Sequence, residues 1–351
     1  MSSGSNLTDL PSSDNYPSAY IGNYYEHLAE EDARSYTDDV LENRAMAHRE
    51  AAGKRAPGQP LVSIRQETNA SVVMVVTDDM PFLVDSVMAE IVRQGIAIRM
   101  LTHPIFVATR NRTTHELVKL NRVPSNAGVS SGDTAAMQNL ADIVATSDNA
   151  SYIESWIAVE TVRISRDEQA NELVAGIQRV LSDVRIAVQD WAAMRRRVRE
   201  IAGSLDSVEG AGNIPDLEEA KALLSWLDDG NFTFLGYREY DLVNQNGEDV
   251  LLVREGTGLG IMHDVPAGRH VQHLTEEGRA RAREKRALVI TKANSRSTVH
   301  RAAYLDYIGV KSFDAQATST ASKGSSASLP AAPTTAQSAA SRLSGRRSTP
   351  S

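Results

Sequence analysis

Two adjacent carboxylates open the turn Asp78-Asp79-Met80-Pro81-Phe82. Paired carboxylates can act as general acid and base, but neighbours in sequence point in different directions and no basic residue is spaced to tune them. A positional role suits this turn better. It bridges the end of an apolar β-rich run, Val72 to Val76, and the start of a helical stripe, Val84, Val87, Met88, Ile91 and Val92. Free N–H groups and the helix dipole favour a ligand carboxylate at such a junction. The competing reading is a structural turn with a carboxylate cap.

Three other groups could carry chemistry. Gly256-Thr257-Gly258-Leu259-Gly260 follows the apolar run LLVRE, with Glu276 about 20 residues on, and superficially suggests a dinucleotide fingerprint. The third glycine comes one residue too early, and Pro266 falls where the phosphate-binding helix should run, so a plain glycine-rich loop is expected. His263, His270 and His273 lie close in sequence, but nothing near them supplies the further ligands and ordered surroundings of a metal site. Arg195-Arg196-Arg197 with Arg199 could hold a phosphate or an acidic partner; complementation of the helix dipole on a solvated face is the simpler account. His27 reads as a surface or packed histidine. The sequence has no P-loop, nucleophile elbow or zinc motif, so no catalytic, cofactor-binding or metal-binding residues are assigned.

The elements around the turn follow from periodicity. Ser71 to Arg110 reads as strand, turn, helix and strand, half of a split βαβ unit, with Pro81 at the helix start, Gly95 at its end and Pro104 marking a bulge or edge. Residues 16–59 form a helical segment and a turn-rich connector, and Leu61 to Gln66 is a short strand. Glu116 to Leu120 is a third strand behind a turn at 111–114. Residues 123–150 are an insertion, flexible or with one short helix near Met137–Val144. A β run at 151–165 precedes one long helix to about Ile201. After a linker, Pro215 opens another helix, and Asn246-Gly247 marks a hairpin between two β runs. Residues 1–15, and the Ala-, Ser-, Thr- and Pro-rich residues 315–351, are expected to be disordered.

Composition narrows the classes. The chain has 351 residues, room for two to three domains, and an ordinary globular balance of charged and apolar residues. A net charge of −8 offers no footprint for nucleic acid. The absence of cysteine excludes disulfides and thiolate chemistry. The first 15 residues lack the basic and apolar regions of a secretory signal, and no apolar run reaches membrane-spanning length, so a cytoplasmic location away from membranes is expected.

The run TDDMPFLVDSV, with the helix and Thr-His-Pro that follow it, resembles the first ACT-like domain of the large NAD-specific glutamate dehydrogenases of bacteria. Tyr24-Tyr25-Glu26-His27 with Glu31-Asp32, then LLSWLDDGNFTFLGYREY and STVHRAAYLDYIGVKSFD, extend the resemblance over roughly Tyr16 to Asp314. It implies an α+β fold: an ACT-like, ferredoxin-like βαββαβ domain at 60–202, then a second, incomplete α/β module at 213–314. It also implies a regulatory or assembly role without catalysis. The NAD that serves the full-length family would not bind this chain, and the partners would be an amino-acid effector and further copies of the chain. Asp79-Met80-Pro81-Phe82-Leu83 further resembles the Asp-Arg-Pro-Gly-Leu signature of amino-acid-binding ACT domains, so the effector residues implied are Asp78, Asp79, Met80, Pro81 and Phe82. Phe82 replaces the signature glycine and removes the close backbone approach a small ligand needs; its ring reads more simply as core. In that family sequence like KSFD continues into folded protein, so the tail after Asp314 reads as the mark of truncation or a shifted frame. A stand-alone amino-acid sensor and a pure oligomerisation module are the alternative functions.

Overall fold

A computed structural model describes residues 17–123, 148–205, 214–263, 270–312 and 324–331. Residues 1–15 and nearly all of the expected insertion lie outside them. The chain divides into two units, Met1–Ser182 and Asp183–Ser351.

The first unit begins with α1 (Pro17–Tyr24), α2 (Glu30–Ala33) and α3 (Asp38–Ala51). Then come β1 (Leu61–Gln66), β2 (Ala70–Asp78), α4 (Leu83–Arg93), β3 (Ile98–Thr102), β4 (Ile105–Asn111), β5 (Leu117–Arg122) and β6 (Asn149–Val162). Helix α5 (Asp167–Gln189) carries the division between the units. The sheet is antiparallel, in the order β1-β2-β6-β4-β5, with β3 also on β6. The long β6 pairs along one side with β2 and along the other with β4 and then β3. His103-Pro104 breaks the second partner in two, because proline cannot donate to a ladder.

A mixed α/β unit with antiparallel strands agrees with the expectation, but the chain order differs from βαββαβ. The strand beside β2 is β1, which comes before the first helix rather than after the second. A β5 hairpin is also added on β4.

Strand β2 is buried along nearly its whole length, which accounts for its unbroken apolar run. Successive side chains alternate between faces. Val72, Met74, Val76, Phe106, Leu120 and Trp156 form one cluster with Tyr20, Tyr24, Ala45 and Ala52 of the N-terminal helical segment. Val73, Val75, Ile157 and Val159 are fully buried on the opposite face. Leu83, Val87 and Ile91 of α4, with Leu173 and Ile177 of α5, are the buried helical stripes left to cover it among the described residues. The expected helical segment 16–50 is thus three helices whose apolar residues seal a second face of the sheet. His48 sits in that layer, fully buried, with Nδ1 2.7 Å from the Tyr24 hydroxyl; burial pushes its imidazole down to about 3, so it is neutral.

The second unit contains α6 (Trp191–Leu205), α7 (Leu217–Trp226) with a π-turn at Leu227–Asn231, β7 (Gly236–Gln245), β8 (Glu248–Val253) and β9 (Leu259–Gly260). β10 (Val271–His273), α8 (Glu276–Arg283), β11 (Leu288–Arg296), β12 (Tyr304–Lys311) and β13 (Gly324–Ala331) complete it. The expected single helix to Ile201 is divided at Asp190, whose backbone still bonds Ile186 and Met194 in the helical pattern and whose carboxylate accepts the Gly260 N–H at 2.7 Å. The β7–β8 hairpin forms where expected, with positive φ at both Asn246 (53°) and Gly247 (86°), as a type I′ turn requires. The core joins Met194, Val198, Leu217 and Leu224 of the helices to Tyr237, Ile308 and Val310 of the sheet.

The sheet order is β10-β8-β7-β13-β12-β11, with β9 on β7. β13 comes from the tail expected to lack structure. A strand needs only backbone donors and acceptors, and β7 and β12 each present a row of them. The rest of the tail lies outside the described residues.

Candidate functional site

The turn after β2 is held from beneath by buried charges. Glu154 of β6 is fully buried and accepts from Arg110 Nε at 2.7 Å and Arg55 Nε at 2.9 Å, and from the Trp156 indole at 3.1 Å. Arg55, in the connector before β1, also donates to Asp78 at 2.6 Å and to the Gln59 carbonyl at 3.1 Å. Arg110 reaches the Ala52 carbonyl at 3.0 Å. One carboxylate thus ties the connector, β4 and the end of β2 together. A second cluster anchors α3: Arg44 donates to Glu67 (2.6 Å) and Glu160 (2.7 Å), and the Tyr36 hydroxyl donates to Glu160 at 2.7 Å.

Asp78 and Asp79 go separate ways, as neighbours on an extended chain must. Asp78 takes Arg55 and the Gly58 N–H. Asp79 accepts the Ser155 hydroxyl, and burial pushes its carboxyl above the usual carboxylate range. Ser155 Oγ in turn lies 3.0 Å from His103 Nε2. With the serine proton directed at Asp79, the hydrogen of that second contact belongs on His103 Nε2. Burial holds His103 down to about 4, so it is neutral at pH 7. A serine, a histidine and an aspartate therefore meet, but the histidine donates to the serine instead of taking its proton, and the aspartate bonds the serine and not the histidine. This is not the order of a nucleophilic triad.

Neither aspartate caps α4. The residue at that position is Phe82, in the left-handed region with φ 74° and ψ −1° and no side-chain cap. Helix α4 consequently begins at Leu83, two residues beyond Pro81. Phe82 is half-buried, not the core residue expected, and Met80 and Pro81 are half-buried beside it. A left-handed backbone is where the signature glycine would belong, and it strains a bulky residue by about 1–2 kcal/mol. Alanine at 82 should therefore be less stable than glycine at 82 by about 1 kcal/mol, reversing the usual order of those residues. Denaturant titration of Phe82→Ala and Phe82→Gly, both lacking the ring, isolates the backbone contribution; equal midpoints would refute it.

The other sequence candidates have structural employment. Arg195 and Arg199 both donate to Asp228, at 2.7 and 2.8 Å, and Arg197 to Glu200 at 2.8 Å, so three arginines of the basic cluster have acidic partners within the second unit. The glycine loop does not fit a dinucleotide. A Cβ on Gly258 would lie 2.3 Å from the Met262 carbonyl, and one on Gly260 2.2 Å from the Leu235 carbonyl, so the chain's own backbone fills the space a pyrophosphate would need. Among the described residues no cluster of three or more His, Asp or Glu could hold a metal; His273 lies 3.9 Å from Glu248 and His27 is exposed. None of the described helices is long and apolar enough to cross a membrane.

Sequence reasoning missed Arg44, Arg55, Arg110, Glu154, Ser155 and His103. A signal was present: two glutamates stand within the β run SYIESWIAVETV, whose neighbours on both faces are buried. A charge in such a strand requires a partner.

Residues 20–177 match the family described as the glutamate dehydrogenase ACT1 domain. The chain is 30% identical over 248 residues to an NAD-specific glutamate dehydrogenase of Halomonas elongata, and 30% over 253 residues to one of Pseudomonas aeruginosa. It is 26% identical over 273 residues to one of Mycobacterium tuberculosis. The matches cover 70–76% of this chain but span only 14–15% of those relatives.

Proposed function

We propose, from the premise that this chain resembles the ACT-like region of the large bacterial NAD-specific glutamate dehydrogenases, that it is a regulatory and assembly portion of such an enzyme and does not itself catalyse. The observation that carries this is the ACT1 match over residues 20–177, which contains the turn at 78–82, both buried charge clusters and the whole first sheet. The full enzyme's reaction would be the NAD-linked oxidation of L-glutamate to 2-oxoglutarate and ammonium, in a cytoplasmic oligomer.

The effector would be an amino acid at Asp78, Asp79, Met80, Pro81 and Phe82. Of the two aspartates, Asp78 is already neutralised by Arg55, whereas Asp79 has a serine and no cation among its contacts. An effector ammonium would supply the missing charge to Asp79, and its carboxylate would face the start of α4.

Two measurements on the purified chain test this. Glutamate and NAD should yield no NADH; turnover would overturn the non-catalytic reading. A thermal-shift series with L-glutamate, L-aspartate and L-leucine should give a saturable shift for one of them, equivalent to about 2.7 kcal/mol at a hundredfold excess over Kd. Asp79→Asn should abolish that shift. A cooperative melt with no shift, alongside concentration-dependent size, would leave assembly as the role.

A further inference from the structure

The sheet of the second unit is built from two locally closed halves. β7 and β8 form one hairpin, and β11 and β12 pair directly in the other. β7 and β12 do not pair with each other: β13 lies between them, antiparallel to both. Its register sets Ser326 against Tyr240 and Lys311, Ala327 against Glu239 and Val310, and Leu329 against Ile308.

The middle of a sheet is normally its most apolar, β-branched strand. The flanks of this gap fit that rule, since Tyr240, Leu242, Ile308 and Val310 are buried. The occupant does not, for its sequence is Gly-Ser-Ser-Ala-Ser-Leu-Pro-Ala. Pro330, opposite Tyr307, has no N–H to offer the ladder. The gap is also not of the occupant's making. Residues of α6 and α7 share one core with Tyr237 on one side of it and Ile308 and Val310 on the other, so the helical layer underlies both halves. A site with apolar flanks is paired on both sides with a Ser- and Gly-rich segment.

We propose that the gap between β7 and β12 is a strand-docking slot, filled in cis by Gly324–Ala331 and able to take instead an extended peptide with apolar residues opposite Ile308 and Val310. Recognition would come from main-chain pairing on two edges, with selectivity from alternate side chains, as in strand addition to a sheet. A β-branched sequence suits a central strand better than a Ser- and Gly-rich one.

Hydrogen exchange on the full chain, read by mass spectrometry, tests this. The probe is the octapeptide Thr-Val-Thr-Val-Thr-Val-Thr-Lys, which places valine at the positions of Ala327 and Leu329. In the variant Ser326→Pro/Ser328→Pro, amides of 238–242 and 306–311 should exchange at least tenfold faster, while amides of 72–76 in the first unit stay unchanged. The peptide should restore their protection, and a Gly-Ser octapeptide should not. Unchanged exchange in the variant would overturn occupancy by β13, and faster exchange without rescue would overturn the slot. Should the variant misfold, the wild-type chain decides: added probe must deprotect 324–331 while 238–242 stay protected, and failure to do so overturns exchange.

Discussion

Glu154→Ala should destabilise the first unit by about 3–5 kcal/mol, the range measured when one partner of a buried ion pair is removed. Glu154 is 0% exposed, Arg55 and Arg110 are 1% exposed, and all three lie in one hydrogen-bonded cluster. Removing the carboxylate leaves Arg110 with the backbone carbonyls of Ala52 and His115 as its remaining acceptors, and leaves Arg55 with Asp78 and one carbonyl. A buried guanidinium without a counter-charge is far costlier than a missing contact. Two comparisons sharpen the expectation. Glu30→Ala removes an exposed pair, 85% and 73% exposed, and should change stability by no more than about 0.5 kcal/mol. Replacing Arg110 by Met and Glu154 by Leu together should cost less than Glu154→Ala alone, because no unpaired charge remains at that position. Urea unfolding followed by the emission of Trp156, in a background carrying Trp191→Phe and Trp226→Phe, reads this unit directly. A loss under about 1 kcal/mol would mean the arginines reach other acceptors.

The cluster also shows why part of the site was legible in the sequence and part was not. The stretch from β2 through α4 to β4 could be read because each element carries its own period: an apolar run, a stripe at Val87 and Ile91, and a proline at the break. The hairpin at Asn246-Gly247 was legible for the same local reason. The employment of Asp78 was not, since its cation lies 23 residues earlier in a connector with no period of its own. Ser155 meets Asp79 across 76 residues, a contact that depends on the β2–β6 register.

Other misreadings share that origin. Phe82 looked like a core side chain because sequence reports side-chain character and not backbone φ. The helix through Asp190 looked continuous because its apolar stripe continues, and the backbone bonds from Ile186 to Met194 do run on; the contact of Asp190 with a glycine 70 residues away leaves no local trace in the sequence. The strand at 324–331 was not legible because side-chain composition says nothing about the two strand edges it pairs with.

The glycine loop supplies the other large effect. Gly260→Ala should cost about 3 kcal/mol or more, whereas Gly256→Ala should cost about 1 kcal/mol. Both have positive φ, 57° and 73°, so both lose the conformational freedom of glycine. They differ in their surroundings. Nothing lies within 4 Å of a Cβ at 256, but one at 260 would be 2.2 Å from the Leu235 carbonyl oxygen, which is backbone and cannot swing aside. That carbonyl also accepts the Ile261 N–H at 2.8 Å, and the Gly260 N–H is taken by Asp190, so relief at 260 would break the β7–β9 pairing and the contact with Asp190 together. A phosphate cradle would reverse the pattern: its glycines would be dispensable for stability and needed only for cofactor. Denaturant midpoints for Gly256→Ala, Gly258→Ala and Gly260→Ala, with and without NAD, separate the two. The structural account requires Gly258 and Gly260 to be the sensitive pair and NAD to change none of the three. Equal losses at 256 and 260 would show that backbone dihedral preference, rather than close approach, governs the loop.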